Sequence, residues 1–296
     1  MRTPPVIDAP AAARCRWCGA PFGARAEHLA GRTRCPDCGV ATTDPFPTPE
    51  ELDAAYASWY RPDAGRFSGP GDKLLRRTRA QLARRVDDLA PPGSVLDVGS
   101  GDGTLVAALR AAGRAAEGLE RGDRDLAAIT EPQAAVVFWH SLEHLPEPAQ
   151  ALAHAASLLV PGGLLVIAAP NAASLQARVF GDRWFALDLP RHLTHVTADA
   201  LVARCGELGL QVGRVSHVRG GQVLFGWLHG LVGLLPGHPD LYDAIRRPEA
   251  RRTGLRGRRR GLALAGAVAL APVAVAGAVA EVLLRRGGTV HVEAVR

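Results

Sequence analysis

Val95-Leu96-Asp97-Val98-Gly99-Ser100-Gly101-Asp102-Gly103 is the stretch that decides the fold. An apolar run ends at Val98, three glycines then alternate with small or polar residues, and an Ala/Leu-rich helical pattern follows from Thr104 to Ala112. This order predicts a buried strand, a glycine turn and a helix. Glycines let the backbone turn sharply and let a ligand approach main-chain N–H groups that a Cβ would block. The spacing G-x-G-x-G differs from the G-x-G-x-x-G of a dinucleotide site, and Asp97 stands two residues before the first glycine. A carboxylate there repels a pyrophosphate and suits a ligand that carries a cation.

A second element agrees. Arg114 to Glu120 reads as a short strand ending in an acid, and Glu120 lies about twenty residues past the turn, where Rossmann-type sites place an acid on ribose hydroxyls. Together the turn, Asp97 and Glu120 resemble motif I and its partner acid in the class I S-adenosylmethionine-dependent methyltransferases. Three more segments are similar to that family: Ala135–Pro148, with its Glu143-His144 pair after an apolar run; Leu159–Asn171, with a Pro-Gly-Gly turn; and Pro190–Thr197. The chain thus resembles bacterial members that carry an N-terminal zinc ribbon. The resemblance implies a doubly wound, Rossmann-like α/β sheet whose seventh strand, Thr289–Val295, is antiparallel. It also implies S-adenosylmethionine as cofactor, held by Asp97, Gly99, Ser100, Gly101, Gly103, Glu120, His140 and Ser141.

With 296 residues, 47% hydrophobic and 22% charged, the chain can bury a full core and carry small appendages. Its net charge of +6 is local, because Arg251 to Arg260 holds six arginines and no acid. No apolar signal segment is visible at the N-terminus, so a cytoplasmic location is expected, with membrane association left open. Cys15-x-x-Cys18 and Cys35-x-x-Cys38 are sixteen residues apart, the spacing of a four-thiolate structural zinc site. Four thiolates fill a tetrahedron and leave no position for a catalytic water. Arg25, Arg32 and Arg34 are offset by Glu27 and Asp37, and only Trp17 and Phe22 offer stacking surfaces, so a nucleic-acid partner is disfavoured.

The organisation expected is a ribbon over 1–47, a helical cap over 48–93, the core over 94–218, a hydrophobic helical insertion over 219–287 and the last strand over 288–296. Thr48, Pro49 and Glu51 form a capping box for the first cap helix, read to about Tyr60. Tyr56, Trp59 and Tyr60 either close the cofactor cleft or pack on the core. About fourteen residues separate Glu120 from the next strand, too few for a helix and another full strand. The sheet should therefore lack one edge strand or hold a loop there, in place of the segment that faces the adenine. The insertion contains nineteen uncharged residues, Leu262 to Ala280, interrupted by Pro272 and flanked by arginines. Buried packing, docking at a membrane interface and spanning all remain open for it.

Methyl transfer is an in-line displacement that needs alignment, and a base only where the acceptor must lose a proton. His144 beside Glu143, and His192 with His195 beside Arg191, are the candidate catalytic residues, since histidine titrates near neutrality. A structural role is the alternative for each. The function expected is methylation of a hydroxyl or amine on a small-molecule, glycan or lipid-linked acceptor. A non-catalytic scaffold and a nucleic-acid-binding zinc-ribbon modifier are the alternatives.

Overall fold

A computed structural model describes residues 14–57, 71–217, 220–247 and 257–296. Two sheets organise them. The smaller begins with β1 (Glu27–Leu29), β2 (Arg32–Arg34) and β3 (Ala41–Thr43), an antiparallel meander between the cysteine pairs and just beyond them. Next come α1 (Pro49–Ala57) and α2 (Gly71–Leu89). The Thr48 capping box forms as read: Thr48 N–H donates to Glu51 Oε2 at 2.8 Å, and Glu51 N–H donates to Thr48 Oγ1 at 3.2 Å. Trp59, Tyr60 and the arginines at 251, 252 and 256 lie outside the described residues.

The core follows as β4 (Val95–Val98), α3 (Thr104–Ala111), β5 (Ala116–Leu119), β6 (Gln133–Trp139), α4 (Pro148–Leu158), β7 (Leu159–Pro170), α5 (Leu175–Phe180), β8 (Thr194–His195), α6 (Ala198–Glu207) and β9 (Gln211–Ser216). An insertion of α7 (Gly220–Gly233), α8 (Leu241–Ile245) and α9 (Gly257–Leu283) precedes β10 (Thr289–Val295). The large sheet has the order β5-β4-β6-β7-β10-β9. β5, β4, β6 and β7 run parallel, and β10 is antiparallel to both β7 and β9, as expected of the last strand. No strand lies beyond β5 among the described residues. β7 starts at Leu159 and carries the Pro-Gly-Gly turn within it, beside a register shift opposite β6.

β4 and β6 are buried along their whole length, as strands covered on both faces must be. On one face α2 and α3 pack Leu82, Val86, Leu105 and Leu109 onto Val95, Val137 and Val166. On the other, α4 and α6 pack Leu152, Ala155 and Leu201 onto Leu96, Phe138 and Ile167. The cysteine segment joins this second layer through Trp17 and Val40. Its sheet is completed by the core, since Ala41 and Thr42 of β3 pair with His195 and Thr194 of β8.

In the insertion, α7 and α9 form an antiparallel hairpin. Trp227 lies over Gly277 and Leu235 over Gly266, where any Cβ would collide with the opposite side chain. Only one stripe of α9 is covered: Ala263, Gly266, Ala274 and Glu281 are buried, whereas Val268 is 78% exposed and Val273, Val275 and Val279 are also exposed. Glu281 fastens the C-terminal end, accepting from Gln176 N–H at 2.9 Å and Gln176 Nε2 at 2.7 Å.

Candidate active site

The chain passes from β4 to β5 on one side and then to β6 on the other, so the sheet order reverses at β4. Open α/β sheets bind ligands in the crevice beyond the strand C-termini at such a switch point. Three segments meet there: the glycine turn after β4, Glu120 after β5, and His140–His144 after β6.

The turn needs its glycines. Gly99, Gly101 and Gly103 have φ of 79°, 64° and 69°, in the left-handed region. A Cβ on Gly99 would also strike Ser141, whose hydroxyl donates to the Val98 carbonyl. Ser141 therefore locks the loop after β6 onto the turn. Asp97 is 2% exposed, and its Oδ1 has no hydrogen-bond partner. Burial pushes its pKa up to about 7, with Glu120 and Asp102 adding to the rise and Arg79 opposing it. A buried carboxylate with one orphaned oxygen at the head of a glycine turn fits the cationic end of S-adenosylmethionine. Glu120 stands at the mouth of the crevice, where its N–H donates to Asp123 Oδ2 at 2.7 Å. The segment after it is a tight turn and a 3-10 turn over Leu126–Ala128 capped by Asp125, a loop in place of the missing strand.

Beyond β6 the chemistry is dense. His140 has φ of 55°, and its Nδ1 lies 3.5 Å from Glu143 Oε1. Glu143 is 2% exposed, and neither carboxylate oxygen has a hydrogen-bond partner among the described residues. The His144 ring meets the His192 ring edge-on at 4.6 Å. His144 Nδ1–H donates to the Arg191 carbonyl at 2.9 Å, and His192 Nδ1–H donates to the Ala186 carbonyl at 2.8 Å. Burial holds the His144 pKa down at about 4, reinforced by His192, and burial also lowers that of His192. Both rings are neutral at pH 7. His195 is not brought to this pair. Its ring turns to the smaller sheet, with Nε2 3.2 Å from Thr43 Oγ1, and burial holds its pKa at about 3.

Tyr56 reaches the site from α1, its hydroxyl 3.1 Å from His144 Nδ1. Arg121 lies 4.4 Å from the centre of the Tyr56 ring and pairs with Asp53 at 2.6 Å, so α1 is clasped over the crevice. Sequence reasoning missed Asp188 and Arg79. Asp188 pairs with Arg191 and lies 3.7 Å from His192 Nε2. Its place four residues before His192 was a usable signal, whereas nothing local tied Arg79 to Asp97.

At the other end, Cys15 and Cys38 have sulfurs 3.6 Å apart, as do Cys18 and Cys35. All four lie within 4.8 Å of one another and none is in a disulfide. Zinc–sulfur bonds of about 2.3 Å give a tetrahedral edge of about 3.8 Å, so the thiols fit that ion. Gly19 and Gly39, at φ of 76° and 72°, close the two knuckles.

Residues 72–215 match a family model described as a methyltransferase domain. No curated protein matches the chain. Among solved structures, it is similar to a SAM-dependent methyltransferase from Archaeoglobus fulgidus (16% identity, 75% of this chain and 94% of that one, TM-score 0.44). It is also similar to magnesium protoporphyrin IX methyltransferase from Synechocystis PCC 6803 (19% identity, 48% and 76%, TM-score 0.38). A third is the CcbJ methyltransferase from Streptomyces caelestis (16%, 54% and 91%, TM-score 0.40). With the domain match, the sheet order and the glycine turn in place, residues 72–215 form a methyltransferase domain of the class I S-adenosylmethionine-dependent kind.

Proposed function

We propose that the crevice holds S-adenosylmethionine and transfers its methyl group to a hydroxyl or amine of a small-molecule acceptor, glycan-bearing or lipid-linked molecules included. The observation that carries this reading is the buried Asp97 carboxylate at the head of the glycine turn, whose Oδ1 lacks a hydrogen-bond partner among the described residues. In it Asp97 faces the cofactor's cationic end, the main-chain N–H groups of Gly99, Ser100, Gly101 and Gly103 approach the ligand, and Glu120 takes the ribose diol. His140 and Ser141 form the wall contributed by β6. Bound there, S-adenosylmethionine supplies an electrophilic methyl on a sulfonium. The chain's own work is to align the acceptor and exclude water. Neutral His144 and His192, under Tyr56, line the acceptor side and can take a proton or a hydrogen bond. Within this reading, His195 ties β8 to the ribbon and stands outside the chemistry. Calorimetric titration with S-adenosylhomocysteine tests the assignment: micromolar binding that Asp97→Asn abolishes is expected. Binding of equal strength in both proteins would sink it.

The four cysteines are proposed to hold one structural zinc, since their thiol geometry fits it and the ribbon's small sheet buries little on its own. Metal analysis should find one tightly held zinc that Cys35→Ser loses. Three arginines of the ribbon have acidic partners. Arg25 pairs with Asp37, Arg34 with Glu27 and Arg32 with Asp182.

One further observation favours a location. The exposed apolar face of α9 lies between Arg258 and Arg259 at one end and Arg285 and Arg286 at the other, all exposed. We infer that a cytoplasmic enzyme rests this face on an anionic lipid surface, because an apolar stripe with basic ends suits the interface. β10 re-enters the sheet a few residues after α9, which argues for lying on a bilayer over crossing it.

A further inference from the structure

We infer that Glu143, His144 and His192 form a divalent-cation site on the acceptor side of the crevice, distinct from the four cysteines. It deepens the methyltransferase reading and rests on it. One ligand atom from each of the three residues lies within 4.8 Å of the other two.

The hydrogen bonds around the cluster select this use. Each Nδ1–H donates to a carbonyl oxygen, which can only accept, so the lone pair of each ring sits on Nε2. Metal-bound histidines are oriented in this way, with one nitrogen anchored to the backbone and the other presented to the ion. Glu143 supplies the anionic oxygen. A carboxylate buried to 2% with both oxygens lacking a hydrogen bond is costly unless a charge or donor meets it. Among the described residues His140, at 3.5 Å, is the group that approaches it, too far for a good hydrogen bond. Asp188, 3.7 Å from His192 Nε2, adds negative charge, and Arg191 offsets it. Two imidazoles and one carboxylate suit a first-row divalent ion such as manganese or zinc better than magnesium, which prefers all-oxygen ligands.

Three protein ligands leave coordination positions open. An acceptor hydroxyl bound there becomes more acidic. Its proton leaves to water, and the oxygen lone pair forms the new O–C bond at the cofactor methyl. The C–S bond breaks with its electron pair on sulfur, and S-adenosylhomocysteine departs. The site therefore selects a hydroxyl acceptor over an amine.

Manganese is the probe, because soft thiolates hold zinc in preference to it. Full-length, zinc-loaded protein is titrated with Mn²⁺, and free Mn²⁺ is read by electron paramagnetic resonance. One bound equivalent is expected, weakened more than about 100-fold by Glu143→Gln or His192→Gln, the loss of a direct ligand exceeding that of an outer partner. S-Adenosylhomocysteine binding by the same variants checks their fold. Pulsed resonance on the wild-type complex should show two imidazole nitrogens, a result that does not depend on any variant folding. No Mn²⁺ uptake, uptake unchanged in both variants, or no imidazole coupling overturns the site. If the wild type takes up Mn²⁺ with two imidazoles but no S-adenosylhomocysteine, the cation site stands and the cofactor assignment falls.

Discussion

At the level of single residues, Asp97 is stabilising for one state and costly for another. In the free protein its pKa is about 7, against 3.8 for the ordinary side chain. A raised acid makes folding less favourable above pH 7, by on the order of 4 kcal/mol, and the cost fades as pH falls through 7 toward 4. Asp97→Asn should therefore melt higher than the wild type at pH 8, with the gap narrowing through pH 5 and closing near pH 4, as scanning calorimetry would show. Cofactor affinity runs the other way. It should fall as pH drops below 7, because the protonated acid offers a cation no charge, and the Asn variant should lose this dependence. Buried functional groups commonly oppose stability in this manner. Gly99→Ala combines a left-handed φ with a collision against Ser141, so a loss of about 2 kcal/mol or more in chemical denaturation is expected.

At the level of elements, the α7–α9 hairpin depends on glycines that let two helices touch. Gly277→Val would drive a branched side chain into the Trp227 ring, and overpacking of this kind costs about 1–3 kcal/mol. The exposed face behaves differently. Val268→Ser and Val275→Ser together should leave the melting temperature within a degree or two, since neither side chain is buried. The same pair should weaken sedimentation with phosphatidylglycerol vesicles if α9 rests on lipid. Unchanged sedimentation, or none in the wild type, would remove the lipid surface from the account. α1 offers a smaller test. Thr48→Ala removes half of a capping box, worth about 1 kcal/mol, and should loosen the helix that carries Tyr56 to His144.

At the level of the whole molecule, the ribbon is not a free appendage. β3 pairs with β8, and β8 lies two residues from His192, so the metal end and the crevice share a strand contact. Chelation of the ribbon metal should therefore lower the melting temperature of the core and slow methyl transfer, although no cysteine faces the acceptor. A chelated protein with unchanged melting and activity would show the two parts to be independent.

Much of this molecule was legible in its sequence. The alternation of buried strands with helices, the glycine turn, the two cysteine pairs, the capping box and the missing edge strand are all local. Each rests on backbone conformation, periodicity or spacing along a few residues, which near neighbours determine. The sequence also placed His144 and His192 as candidates, without saying that they touch. Only the tertiary structure decided that they share one pocket with Glu143 while His195, three residues on, turns away to the ribbon. A strand sends successive side chains to opposite faces, and the partner strand β3, about 150 residues distant in the chain, fixes which face His195 takes. The same holds for α9. Its composition allowed burial, docking or spanning, and which stripe is covered depended on the partners α7, α8 and Gln176 of α5. Properties set by neighbours in the chain can be read from a sequence, whereas properties set by contacts across the fold appear once the fold exists.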